Sequence, residues 1–290
     1  MQSYLNHTFS TEDFDLVSVI DELPLWSAPF GLDLLDMVKL KPNIVALDVS
    51  CGLGFPLIEL ANRLGNSSKV FGIDPWKKAT ERVNLKIKTL DIKNVEVLNG
   101  VAEELPFDNN YFDMIVSNNG VNNLNSMKLA LSECHRVIKS GAQFVITFNL
   151  KDTMIEFYNI FFDILRTNRL FSEIEKMKSQ IYLKRKPLSE VESILKESGF
   201  TIRNIKYNKF NISFLDGTTM LNHSLIKYWF LDGWKKILKS GDLVWIFEQI
   251  ENRINAIAKK KGEFCLTIPY ITIDSIKECV TLNSNIKLYK

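Results

Sequence analysis

The feature that most constrains this chain is an apolar run that breaks directly into a glycine turn. Ile44 to Val49 is almost wholly apolar, and Ser50-Cys51-Gly52-Leu53-Gly54 follows at once. The glycines allow a tight turn and leave no Cβ between the main chain and a ligand. Pro56 then suits the first turn of a helix, where its missing amide costs nothing. Leu57, Leu60, Ala61 and Leu64 share one helical face, and Gly65 ends it. Strand, glycine turn and helix in that order open an α/β unit whose ligand sits at the carboxyl end of the strand.

The rhythm repeats from Pro42 to Leu150. Lys69 to Ile73 is the next strand and ends on Asp74, and Ala79, Val83, Ile87 and Leu90 form a second helical face. Asn94 to Leu98 and Tyr111 to Val116 read as strands three and four. Met127, Leu131, Cys134 and Ile138 predict a third helix closed by Gly141, and Gln143 to Phe148 a fifth strand. This alternation requires right-handed crossovers and a parallel sheet with helices on both faces.

After Leu150 the pattern changes. Thr153 to Lys178 is aromatic-rich, with Met154, Phe157, Phe161 and Ile164 or Leu165 at helical spacing, and Leu188, Val191 and Leu195 predict a helix ended by Gly199. Thr201 to Phe214 reads as a long strand and Phe264 to Ile273 as a last one. Two helices are expected between them, the second with Leu243, Phe247, Ile250, Ile254 and Ile257 on one stripe. Phe14 to Ile20 and Phe30 to Val38 predict helices before the core. The expectation is one domain over 1–290: a helical cap at 1–40, a core at 41–150, and helical lid insertions at 151–198 and 216–262.

Composition excludes several classes. The 36 basic and 34 acidic side chains nearly cancel, so no electrostatic footprint for nucleic acid or an anionic membrane exists. The basic runs Lys184-Arg185-Lys186 and Lys259-Lys260-Lys261 read as solvated helix ends, where cations oppose the negative end of the macrodipole. No apolar run is long enough to span a bilayer. The cysteines Cys51, Cys134, Cys265 and Cys279 form no C-x-x-C pair, and no signal peptide is evident, so a reduced, cytoplasmic protein is expected. His7, His135 and His223 are scattered, so no metal site is expected. The partner expected is a small molecule, on a monomer or homodimer.

Asp74, at the end of the second strand, can accept both hydroxyls of a ribose, which makes the ligand a nucleoside. The same residue can instead cap the following helix. The G-x-G-x-x-G dinucleotide fingerprint and the G-x-x-x-x-G-K-[ST] phosphate loop are both absent.

Asp48-Val49-Ser50-Cys51-Gly52-Leu53-Gly54 resembles motif I of class I methyltransferases that use S-adenosylmethionine (SAM). Gly100-Val101-Ala102-Glu103-Glu104-Leu105-Pro106-Phe107, followed by Phe112-Asp113-Met114-Ile115-Val116, resembles the next signature of the small-molecule branch, which includes quinone C-methyltransferases and arsenite methyltransferases. The resemblance covers about residues 40 to 150. It implies a Rossmann-like α/β fold: a mostly parallel seven-stranded sheet, helices on both faces and helical caps. It implies SAM as cofactor and S-adenosylhomocysteine (SAH) as product. Asp48 would order the turn; Ser50, Gly52 and Gly54 would approach the methionine end. Asp74 would take the ribose, with Pro75 and Trp76 beside it. Val101, Ala102 and Glu103 would line the adenine, and Asn118 would face the methionine end. Two departures stand out. Ser50 replaces the usual first glycine, which requires a negative φ, and Val101 replaces an aspartate that many relatives use for the adenine amino group.

A sulfonium also gains from aromatic faces, for which Trp26, Phe55 and Trp76 are candidates. The segment Leu23-Pro24-Leu25-Trp26-Ser27-Ala28-Pro29-Phe30 can fold over the cofactor. No catalytic base stands out: His223 and Asn118 are candidates, whereas His135 reads as packing. Trp26, Asn118, Met154 to Phe171 and Asp216 to Trp234 are expected to enclose one largely apolar substrate pocket, with Asn118 and Asn122 at its floor. The function expected is methyl transfer to a small molecule; the alternative is a SAM- or SAH-binding regulatory or scaffolding protein.

Overall fold

Successive strand residues point to opposite faces, so a strand covered on both sides must be apolar throughout. The computed structural model of the chain, which describes residues 2–6, 10, 12–21 and 25–278, has that layering. His7, Leu23, Pro24 and Cys279 lie outside the described residues. Helices α1 (Phe14–Asp21) and α2 (Ser27–Met37) precede β1 (Val45–Val49), α3 (Leu57–Leu64), β2 (Lys69–Asp74), α4 (Lys77–Thr89) and β3 (Val95–Asn99). Next come β4 (Phe112–Asn118), α5 (Met127–Val137), β5 (Ile138–Asn149), α6 (Ile155–Thr167), α7 (Phe171–Lys184) and α8 (Leu188–Glu197). The chain continues through β6 (Phe200–Phe214), α9 (Gly217–Asn222), α10 (Ser224–Trp229), α11 (Leu231–Lys235), α12 (Leu243–Lys261) and β7 (Phe264–Lys277).

The sheet order is β3-β2-β1-β4-β5-β7-β6. Strands β1 to β5 are parallel, and β7 returns antiparallel between β5 and β6. Ala46, Met114, Val116 and Val145 pack with Leu34, Leu57, Leu60 and Val83 on one face. Their neighbours Leu47, Ile115, Phe144 and Ile146 pack with Leu131, Cys134, Val191 and Leu195 on the other. All four predicted apolar positions of α3 are buried and Gly65 follows at φ 67. Asn94 Nδ2 then donates to the carbonyls of Ala61 and Gly65 at 3.0 and 2.9 Å, closing the free end of that helix.

Three predicted details differ. Helix α5 stops at Val137: Ile138 is extended and pairs with Phe112, so it belongs to β5. Leu90 is exposed, because it follows the last turn of α4. Three short helices, α9 to α11, occupy the place of one expected helix.

The β6–β7 hairpin sets the position of everything added to the core. Strand β5 ends at Asn149, opposite Tyr270, whereas β7 begins six residues earlier at Phe264, paired with Phe214. The hairpin therefore overhangs the carboxyl edge of the parallel strands. Phe264, Leu266 and Ile268 on this overhang share a core with α6, α7, α9, α11 and α12. Within it Phe157 stacks on Trp234 with centroids 3.8 Å apart, worth roughly 0.5–1.5 kcal/mol beyond area burial. The aromatic helices thus sit above the strand ends. Among the described residues no helix is long and apolar enough to cross a membrane.

Candidate functional site

The turn after β1 is held by its neighbours. Cys51 N donates to Ile73 O at 3.2 Å, Gly54 N to Cys51 O at 2.9 Å, and Gly52 N to Asp74 Oδ2 at 2.9 Å. The other Asp74 oxygen accepts from Trp76 N at 2.8 Å, just before α4. Burial raises the Asp74 pKa, and these two amides pull it back in part. A Cβ on Gly52, whose φ is +51, would meet nothing within 4 Å, so the main chain there faces open space.

Ser50 does not have the negative φ that its side chain favours. Its φ is 60, in the left-handed region. The chain reverses here, between Val49 and the Cys51 amide bonded to β2, and the geometry is imposed whatever the residue. Gly120 approaches so closely that a Cβ on it would lie 2.6 Å from Ser50 Cβ and 2.7 Å from Ser117 Oγ.

Asp48 lies fully buried beneath the turn, and both carboxylate oxygens lack a hydrogen-bond partner. Burial pushes its pKa well up, the charge of Asp74 adds to this, and the Leu57 amide offsets a little without closing a hydrogen bond. Burial thus favours the neutral form of both carboxyl groups, of Asp48 above all.

A cavity of about 450 Å³ opens over the turn. Of the residues expected at a cofactor, Trp26, Ser50, Gly52, Asp74, Pro75, Trp76, Val101, Ala102, Glu103 and Asn118 line it, as does Phe55. Asp48 and Gly54 do not: Asp48 supports the turn from below, and Gly54 packs on Val83. Glu103 Oε1 accepts from Asn125 N and Ser126 N at 2.8 and 3.0 Å, fixing the loop before α5. Asn118 is held at both ends, donating to Ser27 O at 3.1 Å and accepting from Thr147 Oγ1 at 2.9 Å.

Sequence reasoning expected a helical cap at 1–40 but missed the ion pairs that fasten it beside this cavity. Asp21, at the end of α1, pairs with Arg82 at 2.9 Å and with Lys86, both on α4, and Lys86 also donates to Leu53 O at 2.6 Å. Asp21 and Lys86 line the cavity. No local pattern marks a single aspartate as the anchor of a helix to residues sixty positions away.

A second cavity, of about 210 Å³, adjoins the first and shares Trp26, Asn119, Asn123 and Trp229 with it. Asn122, Asn149, Tyr158, Gln180, Lys184, Arg185 and Trp234 complete its wall with Phe230 and Gly233. Asn122 donates to Asn119 Oδ1 at 2.6 Å and to Asn149, and Asn149 donates to Thr153 Oγ1 at 3.1 Å.

The expected apolar pocket is joined here by a polar side broader than the sequence indicated. Trp26, Tyr158, Trp229, Phe230 and Trp234 supply the apolar part of its wall, the amides and the cations Lys184 and Arg185 the polar part, while the α6 aromatics Phe157 and Phe161 face the core. Arg185 is no solvated helix end: it is buried, although Lys259 to Lys261 are exposed in the last turn of α12. His223 lines neither cavity; its Nδ1 accepts from Leu225 N at 3.2 Å and caps α10. His135 packs edge-on against Phe200.

Residues 47–146 match the family model described as a methyltransferase domain. Demethylmenaquinone methyltransferase of Bacillus mycoides is 33% identical over 125 residues, 43% of this chain and 53% of that protein. The chain thus spans about half the length of the curated relatives it matches. In fold, the YcgJ protein of Bacillus subtilis aligns with a TM-score of 0.58 at 19% identity, covering 87% of this chain and 99% of that one. A SAM-dependent methyltransferase of Aquifex aeolicus aligns with a TM-score of 0.50 at 17% identity, covering 89% and 98%. The similarity to a methyltransferase domain thus falls on residues 47–146, the part of the chain that builds the Rossmann-like sheet and the glycine turn.

Proposed function

We propose that the chain transfers a methyl group from SAM, in the larger cavity, to a small acceptor in the adjoining one. The observation that carries this is the junction itself: a glycine turn with an open main chain and a ribose-competent carboxylate lie across one shared wall from a second cavity. The residues fit the cofactor. Each Asp74 oxygen accepts one backbone bond and keeps a lone pair for a ribose hydroxyl. Gly52 admits a ligand against its main chain, and Trp26, Phe55 and Trp76 offer aromatic faces to a sulfonium.

Bound SAM supplies an electrophilic methyl group on sulfur. The chain holds the two partners in line and keeps water out, which can supply most of the acceleration. Val101, Ala102 and Glu103 take the adenine side and Asn118 the methionine side. Helices α6, α7 and α9 to α12 act as the lid and α1 with α2 as a cap, whereas α8, expected in the lid, packs on the sheet face. His223 receives no proton-transfer role. A protein that only sensed SAM or SAH would have no use for the adjoining polar cavity.

Calorimetry with SAM and SAH, followed by SAH release on incubation with a metabolite pool, tests the proposal. Binding of NADH with no binding of SAM or SAH would overturn it.

A further inference from the structure

Arg185 is 5% exposed, yet among the described residues its guanidinium makes a single hydrogen bond, from Nη1 to Tyr158 Oη at 3.2 Å. Its Nε is buried without a partner, and among the described residues no carboxylate bridges it. A guanidinium stays protonated wherever it is placed, so burial leaves a charge that the protein does not neutralise. The wall around it adds no acid: no aspartate or glutamate lines this cavity, and Lys184 stands next to Arg185 at the rim. Lys184 donates to Asn123 Oδ1 at 3.1 Å. Burial and the neighbouring guanidinium hold its pKa below the ordinary lysine value.

The guanidinium is also positioned. Tyr158 Oη accepts from Trp234 Nε1 at 3.1 Å as well as from Arg185, and Trp234 is stacked on Phe157. The Arg185 carbon lies 5.3 Å from the Tyr158 ring centroid. These contacts fix one side of the guanidinium and leave the Nε–Nη2 edge without a hydrogen bond. Nε is closed off, so Nη2, which makes no hydrogen bond among the described residues, is the donor left for an oxygen of a carboxylate or phosphate. Removing one member of a buried ion pair is costly because the other charge is stranded, and here the protein alone presents the stranded half.

Taking the smaller cavity as the acceptor site, we propose that the methyl acceptor carries an acidic group, a carboxylate or a phosphate, which pairs with the Arg185 guanidinium through Nη2 with Lys184 alongside. The amides of Asn119, Asn122 and Asn149 then face the rest of the acceptor, toward the shared wall and the cofactor.

The test titrates benzoate, phenyl phosphate and the neutral isostere benzamide into SAH-saturated protein by calorimetry, in the unaltered chain, R185Q and R185K. Both acids, or one of them, bind at least about tenfold more tightly than benzamide, and R185Q removes that preference. R185K keeps the charge without the guanidinium and retains only part of it, and serves where R185Q does not fold. The stronger of the two acids identifies the source of the acidic group. Equal binding of benzamide, no binding of either acid, or an unchanged preference in R185Q overturns the proposal. SAH binding is measured first. If it fails, the cofactor reading falls, and the same titration of the unliganded protein decides the acidic site independently.

Discussion

Asp74 joins the ends of two strands: its Oδ2 accepts from Gly52 N at 2.9 Å while its Oδ1 accepts from Trp76 N at 2.8 Å. One side chain thus sets both the turn after β1 and the start of α4. The helix-cap role and the ribose role read from sequence are compatible, because a carboxylate has lone pairs for both.

Asp74→Ala is therefore expected to act twice. Stranding two backbone amides lowers stability by about 1–3 kcal/mol, and loss of the ribose bonds lowers SAM affinity by roughly 2–4 kcal/mol. Denaturant unfolding and calorimetry separate the two. An unchanged dissociation constant with lowered stability would leave Asp74 as a cap only.

Asp48 should make the fold sensitive to alkali. Its folded pKa is raised, chiefly by burial, so the native state holds a proton that the unfolded chain releases. Its stabilising contribution is full below the unfolded carboxylate pKa and is lost as pH rises through the folded value. Asp48→Asn abolishes the titration, so the variant should melt higher than the parent at about pH 8, the gap shrinking toward about pH 4. A gap independent of pH would contradict this.

Ser50 and Gly120 form a coupled pair. Ser50→Gly relieves a left-handed non-glycine residue and should stabilise by about 1 kcal/mol. Gly120→Ala places a methyl group against Ser50 Cβ and should cost roughly 1–3 kcal/mol. The double variant should recover part of that loss, since Ser50→Gly removes the atom struck. Additive urea-denaturation energies would show that the two positions do not interact.

Asp21 holds the α1 side of the cofactor cavity through Arg82 and Lys86. Asp21→Ala should speed SAH dissociation several-fold, by opening that side while leaving the turn intact. Stopped-flow measurement of the off-rate checks this, and an unaltered rate would mean that cofactor leaves by another route.

The core was legible because its signals are local. The alternation at Leu47 and Ala46, the spacing of Leu57, Leu60, Ala61 and Leu64, and the glycine turn are each confined to a few residues. Ile138 was misread because it keeps the helical spacing of Cys134 and Leu131 while pairing with Phe112, a partner far along the chain. Arg185 shows the same limit in the site. A basic run at a helix end suits solvent well, and only the packing of Tyr158 and Trp234 from two other helices encloses this one. The turn angle at Ser50 was likewise fixed by its surroundings, not by serine.

The wall made of Trp26, Asn119, Asn123 and Trp229 belongs to both cavities. Two occupants that touch one wall become thermodynamically linked: the factor by which the first alters the affinity of the second is the factor by which the second alters the first. The proposed methyl transfer would change both occupants at that contact in a single event, taking a charge from one and adding bulk to the other. The coupling between the spent pair then differs from that of the incoming pair, and it differs by the same factor for both.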